Sequence, residues 1–252
     1  THKKYKNLKM LIIDKSATSI GEFTFFYCSG LEMVIIPKTI TSIGENCFKL
    51  CEALTSVTIP NSITSIKYNT FSCCRRLKSV EIHNSVTSIE EYAFEDCRSL
   101  KSIKIPNSVT SIESRAFNEC VSLTSLKIPD SVISIGEEAF HKCYGLRSII
   151  LSNSITTIKR STFSICTGLT SVIIPDSVTT IEANAFLRCE ELTSVKIPNS
   201  VTSIGKSAFS DCYKLKSVNI PDSITSIGMS AFYGCNNLDM EIKKKIFKKI
   251  EN

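Results

Sequence analysis

The chain has 252 residues, 42% of them apolar and 21% charged, with a formal net charge of +6. That length and balance support a sizeable core and exclude a disordered chain. The mild basic excess falls short of the clustered footprint of a dedicated nucleic-acid binder, and no run approaches the ~20 apolar residues of a membrane-spanning helix.

In chain order, the first stretch is Thr1-His2-Lys3-Lys4, which lacks an apolar signal core and an initiating methionine, leaving room for an upstream segment. Within residues 1–13 only Leu8, Leu11 and Ile13 fit the pattern that follows. This stretch is expected to be a partial repeat, either a worn cap or the cut edge of a longer array.

Residues 14–238 repeat every 23 positions without an insertion, as about ten near-identical turns. Phenylalanine recurs from Phe25 to Phe232, cysteine three residues later from Cys28 to Cys235, and leucine three residues after that from Leu31 to Leu238; isoleucine precedes each phenylalanine by five, from Ile20 to Ile227. Each turn carries two short runs of alternating β-branched and polar residues, such as Ser171-Val172-Ile173-Ile174 and Ser177-Val178-Thr179-Thr180-Ile181, which predict two strands. The first strand ends at Pro37, Pro60, Pro106, Pro129, Pro175, Pro198 and Pro221, where proline has no N–H to extend a ladder, and Pro-Asn/Asp-Ser makes the corner. Asp14, His83 and Ser152 replace that proline in three turns.

A segment such as Ser134 to Cys143 then predicts one short helical turn, with Ser42/Glu45, Ser88/Glu91 and Ser134/Glu137 spaced as capping boxes. Gly21, Gly44, Gly136, Gly205 and Gly228 share a position with Lys67, Glu90, Glu113, Lys159 and Glu182, so no left-handed backbone is required there. No single turn can bury its own Phe, Leu, Ile and Val. Stacking in register sets each on its own kind, and each large apolar side chain so buried contributes roughly 1.5–3 kcal/mol.

The pattern fails after Leu238. In residues 239–252, Ile242, Ile246 and Ile250 recur every four residues with lysines opposite, the spacing of an amphipathic helix expected to cap the last turn; a basic membrane-surface, calmodulin-binding or nuclear-targeting segment is the alternative.

Residues Leu54 to Cys74, read as L-x-S-V-x-I-P-x-S-I-T-S-I with an aromatic and a cysteine following, resemble the BspA-type, or treponemal-type, leucine-rich repeats, and the likeness covers nearly the whole chain. It implies a right-handed leucine-rich-repeat solenoid with parallel strands and short helical turns. It also implies a binding or adhesive protein, often at the surfaces of bacteria and microbial parasites, with no catalytic motif to carry over.

Two readings compete for the ten aligned cysteines: small apolar fillers, or a redox or metal device. In-register thiols point alike, which is poor disulfide geometry, and His2, His83 and His141 occupy unrelated positions, so neither metal nor cofactor is expected. Cys47 and Cys73 lie outside the column and are expected to be more exposed. Free thiols and the missing signal favour a cytoplasmic setting, with the cell surface as the alternative.

Partner information must sit where the repeats vary. The outward column of the first strand reads Ile35, Thr58, Glu81, Lys104, Lys127, Ile150, Ile173, Lys196, Asn219, and Lys78, Lys101, Arg147 and Lys216 stand at the strand entrance. Lys78, Lys101, Lys104, Lys127 and Arg147, with Glu81 as the lone opposing charge, grade into Ile150 and Ile173, with Lys196 beyond. This combination suits an acidic segment of a partner protein. The alternatives are an intracellular adaptor for a signalling enzyme and, less favoured, a polyanion binder interrupted by Glu81, Asp130, Asp176 and Asp222. An enzyme finds no constellation apart from the repeat.

Overall fold

Apolar residues that alternate over three or four positions can bury one face only, and each turn of this chain offers two such stretches. In the computed structural model, which describes residues 8–250 without the Ile250 side chain, both become strands of a parallel β-solenoid. First strands run Met10–Ile12, Met33–Ile35, Ser56–Thr58, Ser79–Glu81, Ser125–Lys127, Ser148–Ile150, Ser171–Ile173, Ser194–Lys196 and Ser217–Val218. Second strands, two residues each, run from Ser19–Ile20 to Ser226–Ile227. Each residue faces its counterpart in the next turn: Ser125 faces Ser148, Leu126 faces Ile149 and Lys127 faces Ile150. At 102–104, where the repeat calls for a first strand, none forms, and that side of the solenoid divides into a four-stranded and a five-stranded sheet.

Like stacks on like inside. From Phe48 to Phe209 the phenylalanine side chains are fully buried, while Phe25 and Phe232 at the two ends are partly buried. Successive rings lie nearly parallel with centroids between 5.1 Å (Phe186–Phe209) and 5.5 Å (Phe48–Phe71) apart. The cysteine column does more than fill space. From Cys51 to Cys235 each thiol donates to the carbonyl of the phenylalanine one turn back, as Cys120 Sγ does to Phe94 O at 3.2 Å.

The segment expected to be a helical turn is instead a run of β-turns. Two positions per turn are left-handed, the first exemplified by Asn46, Asn69 and Tyr92 and the second by Leu50, Cys73 and Asp96, with φ between 53° and 63° wherever the residue is not glycine. The backbone is held by the next turn: Asn46 N donates to Tyr68 O, Phe48 N to Thr70 O and Leu50 N to Ser72 O, at 2.9–3.0 Å. The serine–glutamate pairs therefore have no helix to cap. Glutamate at this corner serves the preceding turn, with Glu90 accepting Ser65 Oγ and, at 3.1 Å, Tyr68 N. Gly21, Gly44, Gly136, Gly205 and Gly228 are not left-handed, as expected; the left-handed glycine is Gly234.

Two of the three corners without proline are rebuilt by side chains, while His83 keeps the ordinary backbone bond, its O accepting Val86 N at 3.2 Å. Asp14 Oδ1 accepts Ser16 N at 2.7 Å, and buried Ser152 donates to Val132 O at 2.6 Å while accepting Ser154 N at 3.1 Å.

All twelve cysteines are unpaired thiols. Cys47 is fully buried rather than exposed, and burial pushes its thiol up to about 12. Cys73 alone is half-buried, its thiol raised by burial more than its hydrogen bond with Ser72 lowers it. Alkylation of the native protein should therefore modify Cys73 first, slowly at neutral pH and faster as pH rises, because only the thiolate reacts. Peptide mapping that finds Cys47 modified equally early would contradict this burial.

At the chain's end the helix Met240–Ile250 (α1) begins where Asp239 Oδ1 accepts Ile242 N at 2.8 Å, an N-cap. It lies against the last second strand with Ile246 buried and Ile242 partly buried. Lys249 Nζ reaches Ile224 O at 2.7 Å. At the other end, Leu8, Leu11 and Ile13 pack partly buried against the core; the rest of the expected half-turn, residues 1–7, lies outside the described residues.

Candidate partner-binding face

In each three-residue first strand from Met33–Ile35 onward the central residue is buried and its two neighbours exposed. The pleat thus fixes which residues a partner can touch. Glu81, Lys104, Lys127, Ile150, Ile173 and Lys196 all stand outward in one column, and strand pairing sets Lys127, Ile150, Ile173 and Lys196 side by side in consecutive turns. Lys78, Lys101 and Arg147 are exposed at the entrance edge of the same face. Ile150 and Ile173 are 55% and 75% exposed, an apolar step beside the lysines.

The interrupted strand at 102–104 shapes the centre of this face. On one side of it lies a hollow of about 490 Å³ walled by Lys104, Lys127 and Ile150. On the other lies one of about 480 Å³ walled by Glu81, His83 and Lys104. Lys104 therefore borders both. The sequence carries no signal for these hollows, since Ser102-Ile103-Lys104-Ile105 obeys the repeat pattern. Asn219 is exposed in the same column and also bonds the neighbouring turn, its amide donating to Ile197 O and accepting from Ile197 N, each at 2.7 Å.

Charge is distributed unevenly around the solenoid. Along the turn edge the ions answer one another from turn to turn: Glu52 with Arg75 at 3.0 Å, Arg75 with Asp96 at 2.8 Å, Asp96 with Arg98, Arg98 with Glu119 at 3.5 Å, and Glu119 with Lys142 at 2.8 Å. On the strand face, Lys78, Lys101, Lys104, Lys127, Arg147 and Lys196 make no ion pair among the described residues. Glu81 is occupied with Thr58, whose hydroxyl donates to it at 3.3 Å. A cationic strip without internal counter-ions, next to exposed isoleucines, can bind an anionic, partly apolar surface.

Among the described residues no helix is long and apolar enough to cross a membrane. The BspA type leucine-rich repeat region matches residues 2–124 and 110–239 in six copies. No curated protein matches the chain significantly. A leucine-rich repeat protein from Bacteroides ovatus is similar over 97% of this chain and 82% of its own, with 26% identity and a TM-score of 0.67. One from Eubacterium ventriosum, at 23% identity over 92% of this chain and 84% of its own, shares the fold with a TM-score of 0.57. Repeat model, register and stacked columns agree: the chain belongs to the BspA-type leucine-rich repeat family of repeat scaffolds.

Proposed function

We propose that the protein is a binding scaffold rather than an enzyme, and that its first-strand face engages an acidic segment of a partner protein. The observation that carries this reading is the set of unpaired cations Lys78, Lys101, Lys104, Lys127 and Arg147, on a solenoid whose turn-edge Arg75, Arg98 and Lys142 are each paired with a carboxylate of a neighbouring turn. Lys104, between the two hollows, is the centre of the contact; Ile150 and Ile173 supply apolar area at its border, and Lys196 closes the far end.

The test is charge reversal at Lys104 and Lys127, both exposed and away from the core. Affinity for a partner captured by the wild-type array should fall at least about tenfold in Lys104→Glu/Lys127→Glu, with a loss of salt dependence, because like charges across an interface are costly. An unchanged dissociation constant would remove this face from consideration.

A further inference from the structure

The turn-edge ladder has a direction, and it runs out at the last turn. In each interface the N–H groups of three alternate residues point toward the C-terminal neighbour. In the penultimate turn these are Ser207, Phe209 and Asp211, which donate to Met229 O, Ala231 O and Tyr233 O at 3.0, 2.7 and 2.7 Å. Their counterparts one turn on are Ser230, Phe232 and Gly234, which have no following turn and no acceptor among the described residues. Ser230 and Gly234 are left-handed, with φ of 59° and 74°. Backbone N–H groups with no internal acceptor carry partial positive charge that attracts an anion.

This row does not open on bulk solvent alone. α1 leans over it and leaves a cavity of about 290 Å³ lined by Ser230, Phe232, Gly234, Lys243, Ile246 and Phe247. Phe232 ends the ring stack: one face packs on Phe209 with centroids 5.2 Å apart, and it has no ring on the other side among the described residues. Lys243 supplies an ammonium group that donates to the carbonyl of Asn236 at 3.1 Å. Unsatisfied donors, a cation and an uncovered aromatic ring thus meet in one apolar hollow.

We infer that this end cavity binds a small aromatic carboxylate, with the arene continuing the phenylalanine column on Phe232 and the carboxylate held by the free N–H row and Lys243. A monoanion suits a hollow with one ammonium and apolar walls, where surplus negative charge would be left without compensation. This site is independent of the strand face.

The probe is 1-naphthoate, with neutral 1-naphthamide as its isostere, titrated into the full chain and followed by amide NMR. Naphthoate should saturate one site, shift the Ser230, Phe232 and Gly234 amide signals, and bind at least about tenfold more tightly than naphthamide. In Lys243→Met, a change on a helix face that does not enter the core, that ratio should shrink to about twofold. Unmoved amide signals, equal affinity for the two probes, or an undiminished ratio in Lys243→Met would each overturn the inference. So would self-association that protects these three amides without ligand, because the occupant would then be a second copy of the chain.

Discussion

Phe140→Ala should destabilise the solenoid by about 3–5 kcal/mol, the cost of truncating a large buried aromatic side chain that leaves a cavity. Phe140 is fully buried between Phe117 and Phe163, with ring centroids 5.5 Å away on both sides. Its neighbours cannot close the gap, because flanking strands fix the spacing of the turns through their ladders. Phe25→Ala removes the same atoms from a ring that, among the described residues, is stacked on one side only and is already partly exposed, so it should cost less than half as much. Denaturant midpoints of the two variants provide the measurement. Equal losses would show that the stack does not act through nearest neighbours, as stability in a repeat array should.

Ile165→Asn should move stability in the opposite direction, by about 1 kcal/mol. Ile165 has φ of 60°, and a left-handed backbone costs an ordinary residue roughly 1–2 kcal/mol, with β-branched side chains tolerating it worst. Its N–H donates to Leu187 O at 2.7 Å, a bond that any residue except proline preserves. Asparagine visits this region readily and loses less backbone entropy on folding than glycine. A lower melting temperature for Ile165→Asn would mean that the partly buried isoleucine side chain contributes more packing than its backbone costs.

That left-handed geometry explains where the sequence was readable and where it was not. The 23-residue period, the ring column and the alternating strands are legible because in-register stacking demands the same residue type at each level. The left-handed positions are illegible for the opposite reason. They are enforced by hydrogen bonds to the next turn, so residues as varied as Phe23, Arg115 and Ile165 occupy them, and Gly234 with a scatter of Asn and Asp such as Asn46, Asn69 and Asp96 advertises the conformation in only some turns.

The burial of Cys47 does have a signal in the sequence. The residue occupies the position filled by Ala93, Ala116 and Ala139 in later turns, a column of small residues beside the rings, and burial follows from membership of that column. On the strand face, exposure can be read from alternation alone. The lack of counter-ions cannot, because it depends on which acidic residues the fold commits to the turn edge, as Asp96 is to Arg75 and Arg98.

A stack in which every level offers the same apolar surface has an ambiguity that a conventional core lacks: a level joined to the wrong neighbour would still bury ring on ring. The turn-edge ions break the tie. Arg115 meets Glu138 at 2.8 Å in the correct order, but skipping one level would set it against Ser161. Such half-exposed pairs add little individually to the folded state. Their distribution nevertheless differs from level to level, so the native order of near-identical layers is the one that satisfies these pairs.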